Sequence, residues 1–153
     1  MELKSTLRVF NQEEVSEGPG LVKGQSIKRL AGNAQHPTEK VMVALASFKP
    51  GTLEQLHWHL IEVFYYVISG RAVMRDIEGK TYDIGPGSVI YAPPGIAGSH
   101  EWEIKEPLQL LSIRATTDLE KNIQFDVDKI TKQSSIGFDY LISRGGEKFK
   151  SLY

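Results

Sequence analysis

Between residues 40 and 115, apolar and polar positions run in short stretches that glycine and proline interrupt. The breaks fall at Pro50-Gly51, Ser69-Gly70, Glu78-Gly79, Gly85-Pro86-Gly87, Pro93-Pro94-Gly95 and Pro107. The segments between them, 41–48, 63–68, 72–77, 81–84, 88–92 and 108–115, are rich in β-branched and aromatic residues. Such side chains fit a pleated, half-buried surface, and strands about every 8–12 residues between turn signals predict an all-β sandwich or barrel. No helical period runs through this stretch.

The flanks are less regular. Residues 21–30 read as a further strand, and Asn11–Gly18 (NQEEVSEG) suits a loop or one helical turn. Downstream, Ile123, Phe125 and Val127 alternate with polar residues, and the polar stretch after them suits a short helix. Residues 136–143 have strand-like composition, and the Gly145-Gly146 pair with its following charges reads as a mobile end. No repeat, low-complexity block or linker divides the chain.

Composition narrows the chemistry. A chain of 153 residues suits one domain, and the 18 Lys+Arg against 19 Asp+Glu argue against a nucleic-acid partner, which wants a basic excess. The start, MELKSTLRVF, lacks the apolar core of a signal peptide, and no run has the length of a membrane-spanning helix. A soluble, cytoplasmic protein with no membrane partner is expected. With 0 Cys, thiolate catalysis, Cys-ligated zinc and iron–sulfur chemistry are excluded. That leaves weight on the 4 His: His36, His57, His59 and His100.

His57 and His59 flank Trp58, and in a strand residues i and i+2 point to one face, so two imidazoles stand side by side. His100 follows 41 residues after His59, past the Pro93-Pro94-Gly95 turn. Pairing of the two strands lets a third imidazole converge on the first two. Neutral imidazole is a common metal ligand, and three of them leave positions open for water, substrate or dioxygen.

These residues carry a resemblance to the cupins, small β-barrels marked by two short motifs. The first runs Gly, five residues, His-x-His, three or four residues, Glu, six residues, Gly. Here Gly51, TLEQL, His57-Trp58-His59 and Gly70 stand in that order. The second runs Gly, five residues, Pro-x-Gly, two residues, His, three residues, Asn. Here Gly87, SVIYA, Pro93-Pro94-Gly95 and His100 match it. The resemblance implies one domain over 1–153: a double-stranded β-helix, or jelly roll, over about 40–115, N-terminal strands within 1–39, and a short, partly helical C-terminal extension over 116–153.

Two departures stand out. The motif's glutamate falls on Glu62 only when the gap is cut to two residues; at three it falls on Val63. Strict alternation from His59 aims Glu62 away from the His face, unless a bulge in VFYYV restores it. In the second motif four residues, Ile96 to Ser99, separate Gly95 from His100, and Ile104 stands where the motif has Asn.

The resemblance and the strand parity together assign roles to particular side chains. His57, His59 and His100 are the expected metal ligands, with Glu62 as candidate fourth ligand or catalytic group. Tyr65 is the candidate proton donor. Gln55, by parity with His57, Val63, and Trp102, by parity with His100, line the expected substrate pocket. His36 reads as a solvated loop residue, Glu101 and Glu103 as solvent-facing. Arg75 and Arg114 read as outward surface charges, although an inward one would recognise a carboxylate with its planar fork.

The expected function is a metal-dependent enzyme acting on a small organic substrate, a dioxygenase-type oxidoreductase with a three-His centre. Fe is the first choice of metal, with Mn, Ni, Zn or Cu as alternatives. The resemblance equally covers lyases, isomerases and decarboxylases using Zn or Mn, and metal-free binding barrels. It also implies a homodimer packed through N-terminal strands.

Overall fold

The computed structural model of the chain describes residues 1–118 and 120–136. It is built almost wholly of antiparallel strands. They are β1 (Glu17–Pro19), β2 (Gln25–Ala31), β3 (Met42–Phe48), β4 (Leu53–His59), β5 (Val63–Ser69) and β6 (Ala72–Asp76). After these come β7 (Thr81–Ile84), β8 (Val89–Ala92), β9 (His100–Ile104), β10 (Leu108–Arg114), β11 (Gln124–Val127) and β12 (Ser134–Ile136). Two six-stranded sheets result, in the orders β1-β2-β3-β10-β5-β8 and β12-β11-β4-β9-β6-β7. That is the jelly-roll arrangement, in which the chain crosses repeatedly between two facing sheets.

Alternation along each strand decides what is inside. In β5, Val63, Tyr65 and Val67 are buried while Phe64, Tyr66 and Ile68 are exposed. Val63 and Val67 join Phe48, Trp102, Ile104 and Leu108 in one core between the sheets. Full burial of a side chain of this size stabilises by roughly 1.5–3 kcal/mol. The turn after β5 needs glycine. Gly70 has φ +93°, and a Cβ there would lie 2.1 Å from the Pro107 carbonyl oxygen.

The flanks differ in part from expectation. Residues 12–14 form one 3-10 turn, capped by the Asn11 side chain, and β2 takes up the strand expected at 21–30. The polar stretch after Val127 is not a helix. Asp128 accepts hydrogen bonds at its side chain from the Ile130 and Thr131 amides, both 2.8 Å, and Lys132 takes φ +59°. A residue in the left-handed region stops a right-handed helix and turns the chain back. Residues 134–136 accordingly return as β12 against β11. The strand expected beyond Ile136 and the mobile end at 145–150 lie outside the described residues. No helix among the described residues is long and apolar enough to cross a membrane.

Candidate metal centre

The central pair β4–β9 brings the histidines together. His57 lies directly opposite His100, and Glu54 opposite Trp102. Three residue steps on β4 therefore match two on β9, which is a β-bulge. One inserted residue reverses the alternation. Before the bulge Glu54 faces the interior; after it His57 and His59 do. Gln55 is turned outward by the same bulge, so the parity that placed it in the pocket does not hold. It is exposed, and its amide donates to Asp126 Oδ2 at 2.8 Å.

All three imidazoles are buried, with one ligand nitrogen from each lying within 4.8 Å of the others. The His57 Nδ1–H donates to the Gln55 carbonyl at 2.6 Å, and the His100 Nδ1–H to the Gly98 carbonyl at 2.9 Å. A carbonyl only accepts, so the ring proton sits on Nδ1 and the Nε2 lone pair is left for another partner. Gly98 ends a 3-10 turn, Ile96–Gly98, which absorbs the two extra residues of the second motif. A Cβ on Gly98 would lie 2.2 Å from the Pro93 carbonyl oxygen. This tight turn is what delivers His100.

Burial holds the rings neutral. It lowers His57 to about 4 and His100 to about 3, and puts His59 well below the ordinary histidine range. The positive charge of Arg114 pushes all three the same way. Tyr65 faces inward with its hydroxyl 3.1 Å from His100 Nε2 and 3.4 Å from His59 Nε2. Burial raises its phenol, so it stays protonated and donates.

The donor set fits a divalent cation. His57 Nε2 is buried without a hydrogen-bond partner among the described residues, and Glu54 Oε1 stands 3.6 Å from it. With the ring neutral, a lone pair faces a carboxylate oxygen with no proton between them, and two acceptors so placed repel. A cation held by the imidazoles relieves that repulsion.

Glu62 lies outside the cluster. It sits one residue before Val63, on the outward parity of Phe64 and Tyr66, and no bulge interrupts β5 there. It is exposed and accepts a hydrogen bond from the Tyr91 hydroxyl at 2.6 Å. Val63 is fully buried in the core and does not line the cavity. Trp102 is 1% exposed, edge-on to Tyr65, and does line it. His36 is half-buried rather than solvated, stacked on Phe10 with ring centres 4.1 Å apart.

Beside the imidazoles lies a cavity of about 720 Å³. Glu54, Tyr65 and Trp102 wall it on the His side, and Arg29, Phe48 and Arg114 are among the residues that complete it. Arg114 thus points inward, against expectation. In β10, Leu108, Leu110, Ser112 and Arg114 share one parity, but Leu111 and Ile113 on the other are apolar too, so hydropathy does not distinguish the faces. Arg75 does point outward, pairing with Glu103 at 2.8 Å and Glu101 at 3.1 Å. Glu101 is nevertheless 1% exposed, because Arg75 and Lys129 cover it as ion partners. Glu54 and Gln124 are additions that the motifs do not mark. Gln124, opposite His59 on the neighbouring β11, is buried with its Oε1 unpartnered among the described residues.

The sequence profile of the Cupin domain family matches residues 44–114, the span that holds both motifs and all three histidines. With two facing antiparallel sheets as the architecture, residues 44–114 form a cupin domain. Solved structures agree on the fold. The polyketide cyclase RemF from Streptomyces resistomycificus is 18% identical with TM-score 0.62, covering 72% of this chain and 80% of its own. An RmlC-like cupin from Shewanella frigidimarina is 16% identical with TM-score 0.62, covering 75% and 96%. A cupin-superfamily sugar phosphate isomerase from Silicibacter pomeroyi is 20% identical with TM-score 0.60, covering 84% and 92%. No curated protein sequence matches the chain.

Proposed function

We propose that this chain is a metal-dependent enzyme that acts on a small organic molecule held in the barrel cavity, with His57, His59 and His100 as metal ligands. The observation that carries this reading is the convergence of three neutral, buried imidazoles, two of them locked through Nδ1 and one of these, His57, with its Nε2 bare, next to a cavity of substrate size. When bound, a divalent transition metal supplies Lewis acidity, or as Fe(II) the electrons for dioxygen chemistry.

The chain's own groups favour proton-transfer chemistry. Tyr65 holds a proton on its hydroxyl at the junction of cavity and imidazoles, where it is placed to donate to a developing negative charge. Glu54 presents a carboxylate on the cavity wall, 3.6 Å from His57, as the matching acceptor. Trp102 closes that end to water. A proton donor and a proton acceptor beside the imidazoles that would hold a Lewis acid suit a lyase, isomerase or decarboxylase. The dioxygenase reading stands second, supported by a cluster in which no carboxylate joins the three imidazoles among the described residues.

A homodimer in the cytoplasm is the proposed setting. Supporting the dimer, Leu3, Leu7 and Val9 of the N-terminal arm are each at least 80% exposed and apolar. Elemental analysis with oxygen-consumption measurement on candidate substrates tests the proposal. Metal with substrate turnover and no oxygen uptake supports the proton-transfer reading, oxygen uptake supports the second, and a protein that takes up no metal refutes both.

A further inference from the structure

The cavity carries a charge pattern that selects its occupant. Arg29 on β2 lies opposite Ala44 on β3, Ala44 opposite Ser112 on β10, and Ser112 opposite Tyr65 on β5. Directly opposed residues in an antiparallel sheet point to the same side. Arg29, Ser112 and Tyr65 therefore form a row across the inner face, with Arg114 two residues further along β10. On this sheet surface β3 and β10 stand between Arg29 and β5, whereas Arg114, opposite Val63, is a diagonal neighbour of Tyr65 and lies near the imidazole-bound phenol.

Arg114 is oriented by a chain of hydrogen bonds through Asn122. One of its N–H groups donates to Asn122 Oδ1 at 3.1 Å. Asn122 is 1% exposed, and its amide donates to the Asp118 carbonyl at 3.1 Å and the Thr116 carbonyl at 3.3 Å. Those two bonds fix which way the Asn122 oxygen points, and so how the guanidinium lies. Among the described residues no carboxylate pairs with Arg114. A half-buried guanidinium whose one side-chain partner among the described residues is a neutral amide leaves most of its fork of donors for something else.

The rest of the wall says what that is. Among the described residues Arg29 and Arg114 are its cations, and Glu54, beside His57, is its one acid. Ile27, Phe48, Leu110 and Trp102 give the wall a large apolar part, which Ser112, Gln25 and Thr117 interrupt with polar groups. Resting on the cavity as the substrate site of the proposed enzyme, we propose that its ligand is an organic acid with an apolar body, its carboxylate held by the Arg114 fork and its reacting end against Tyr65 and the three imidazoles. The planar, forked guanidinium matches a carboxylate with two parallel hydrogen bonds. Arg29 adds positive potential on the same face.

The test uses the full-length metal-loaded protein and three probes: 3-phenylpropanoate, 3-phenylpropanamide and phenethyl phosphate, titrated by calorimetry. Wild type is expected to bind the acid at least about tenfold more tightly than the amide, as for hydrogen bonds to a charged group, and more tightly than the phosphate ester. Arg114→Gln should bring acid affinity down to that of the amide and leave amide binding and metal content unchanged. Asn122→Ala should weaken acid binding in the same direction by a smaller factor, and serves if Arg114→Gln does not fold. Equal binding of acid and amide by wild type, tighter binding of the phosphate ester, or no binding of the acid would each overturn the proposal. So would an acid preference that survives Arg114→Gln, since the carboxylate would then be held elsewhere. Metal content measured on the same samples separates the two claims. Arg114-dependent acid binding by a protein that takes up no metal refutes the metal centre alone, and charge-blind binding by a metallated protein refutes the acid alone.

Discussion

Acidifying the metal-free protein is expected to unfold it through its buried imidazoles. In the unfolded chain a histidine binds a proton below its ordinary value of 6.5, whereas in the fold His57 does so only near 4. Between those values the unfolded state holds more protons than the native one, so stability rises with pH and is lost as pH falls through the window. The slope from this one residue is about 1.4 kcal/mol per pH unit. Integrated from neutral pH to the folded value of about 4, His57 alone removes on the order of 3 kcal/mol. His100, lowered to about 3, acts in the same direction. A loss of that size is a large part of the roughly 5–15 kcal/mol that holds a domain together. The assay is urea unfolding of chelator-treated protein at several pH values between 7 and 4, wild type against His57→Asn. Carboxylates titrate in both proteins, so the difference in slope isolates the imidazole. Wild type should lose stability more steeply by close to one proton's worth across pH 6 to 4.5. Parallel curves for the two proteins would refute burial of a neutral His57.

Other consequences are local and separable. Gly98→Ala forces a Cβ against the Pro93 carbonyl and shifts the carbonyl that orients His100, so metal affinity should fall by about 10–100-fold, read by competition with a chelating dye. Glu62→Gln should leave metal affinity within about twofold of wild type, since Glu62 is exposed and bonded to Tyr91, whereas a tenfold loss would return it to the site. Gly70→Ala should destabilise by at least about 2 kcal/mol in urea unfolding, because φ +93° and the Pro107 carbonyl both exclude a side chain. Tyr65→Phe should keep the metal but abolish or sharply reduce turnover of any substrate found, whereas unchanged turnover would show that another group carries the proton.

Those parts of the fold are legible in sequence whose physical signals are local. Glycine and proline breaks mark strands at 41–48, 63–68, 81–84 and 108–115, and β3, β5, β7 and β10 lie there to within a residue or two. The His57, His59 and His100 grouping is legible because motif spacing encodes strand pairing. Glu54 is hidden because a bulge leaves no composition signal, and one inserted residue exchanges Gln55 for Glu54 on the inner face. Arg114 is hidden because β10 is apolar on both parities. The turn at 128–133 reads as helical from polarity alone. Asp128 bonding to the amides ahead of it, and Lys132 at positive φ, decide it as a hairpin. Parity assigns Glu101 to solvent correctly for its face and wrongly for its burial, since it cannot show that Arg75 and Lys129 lie over the carboxylate.

Whether the three imidazoles hold a metal is decided by elemental analysis of wild type beside His57→Ala and His100→Ala. About one transition-metal ion per chain in wild type, as purified or after reconstitution, and little in either folded variant is the expected result. A wild-type protein that takes up no metal, or a His57→Ala protein that keeps its full complement, would contradict metal binding by the three.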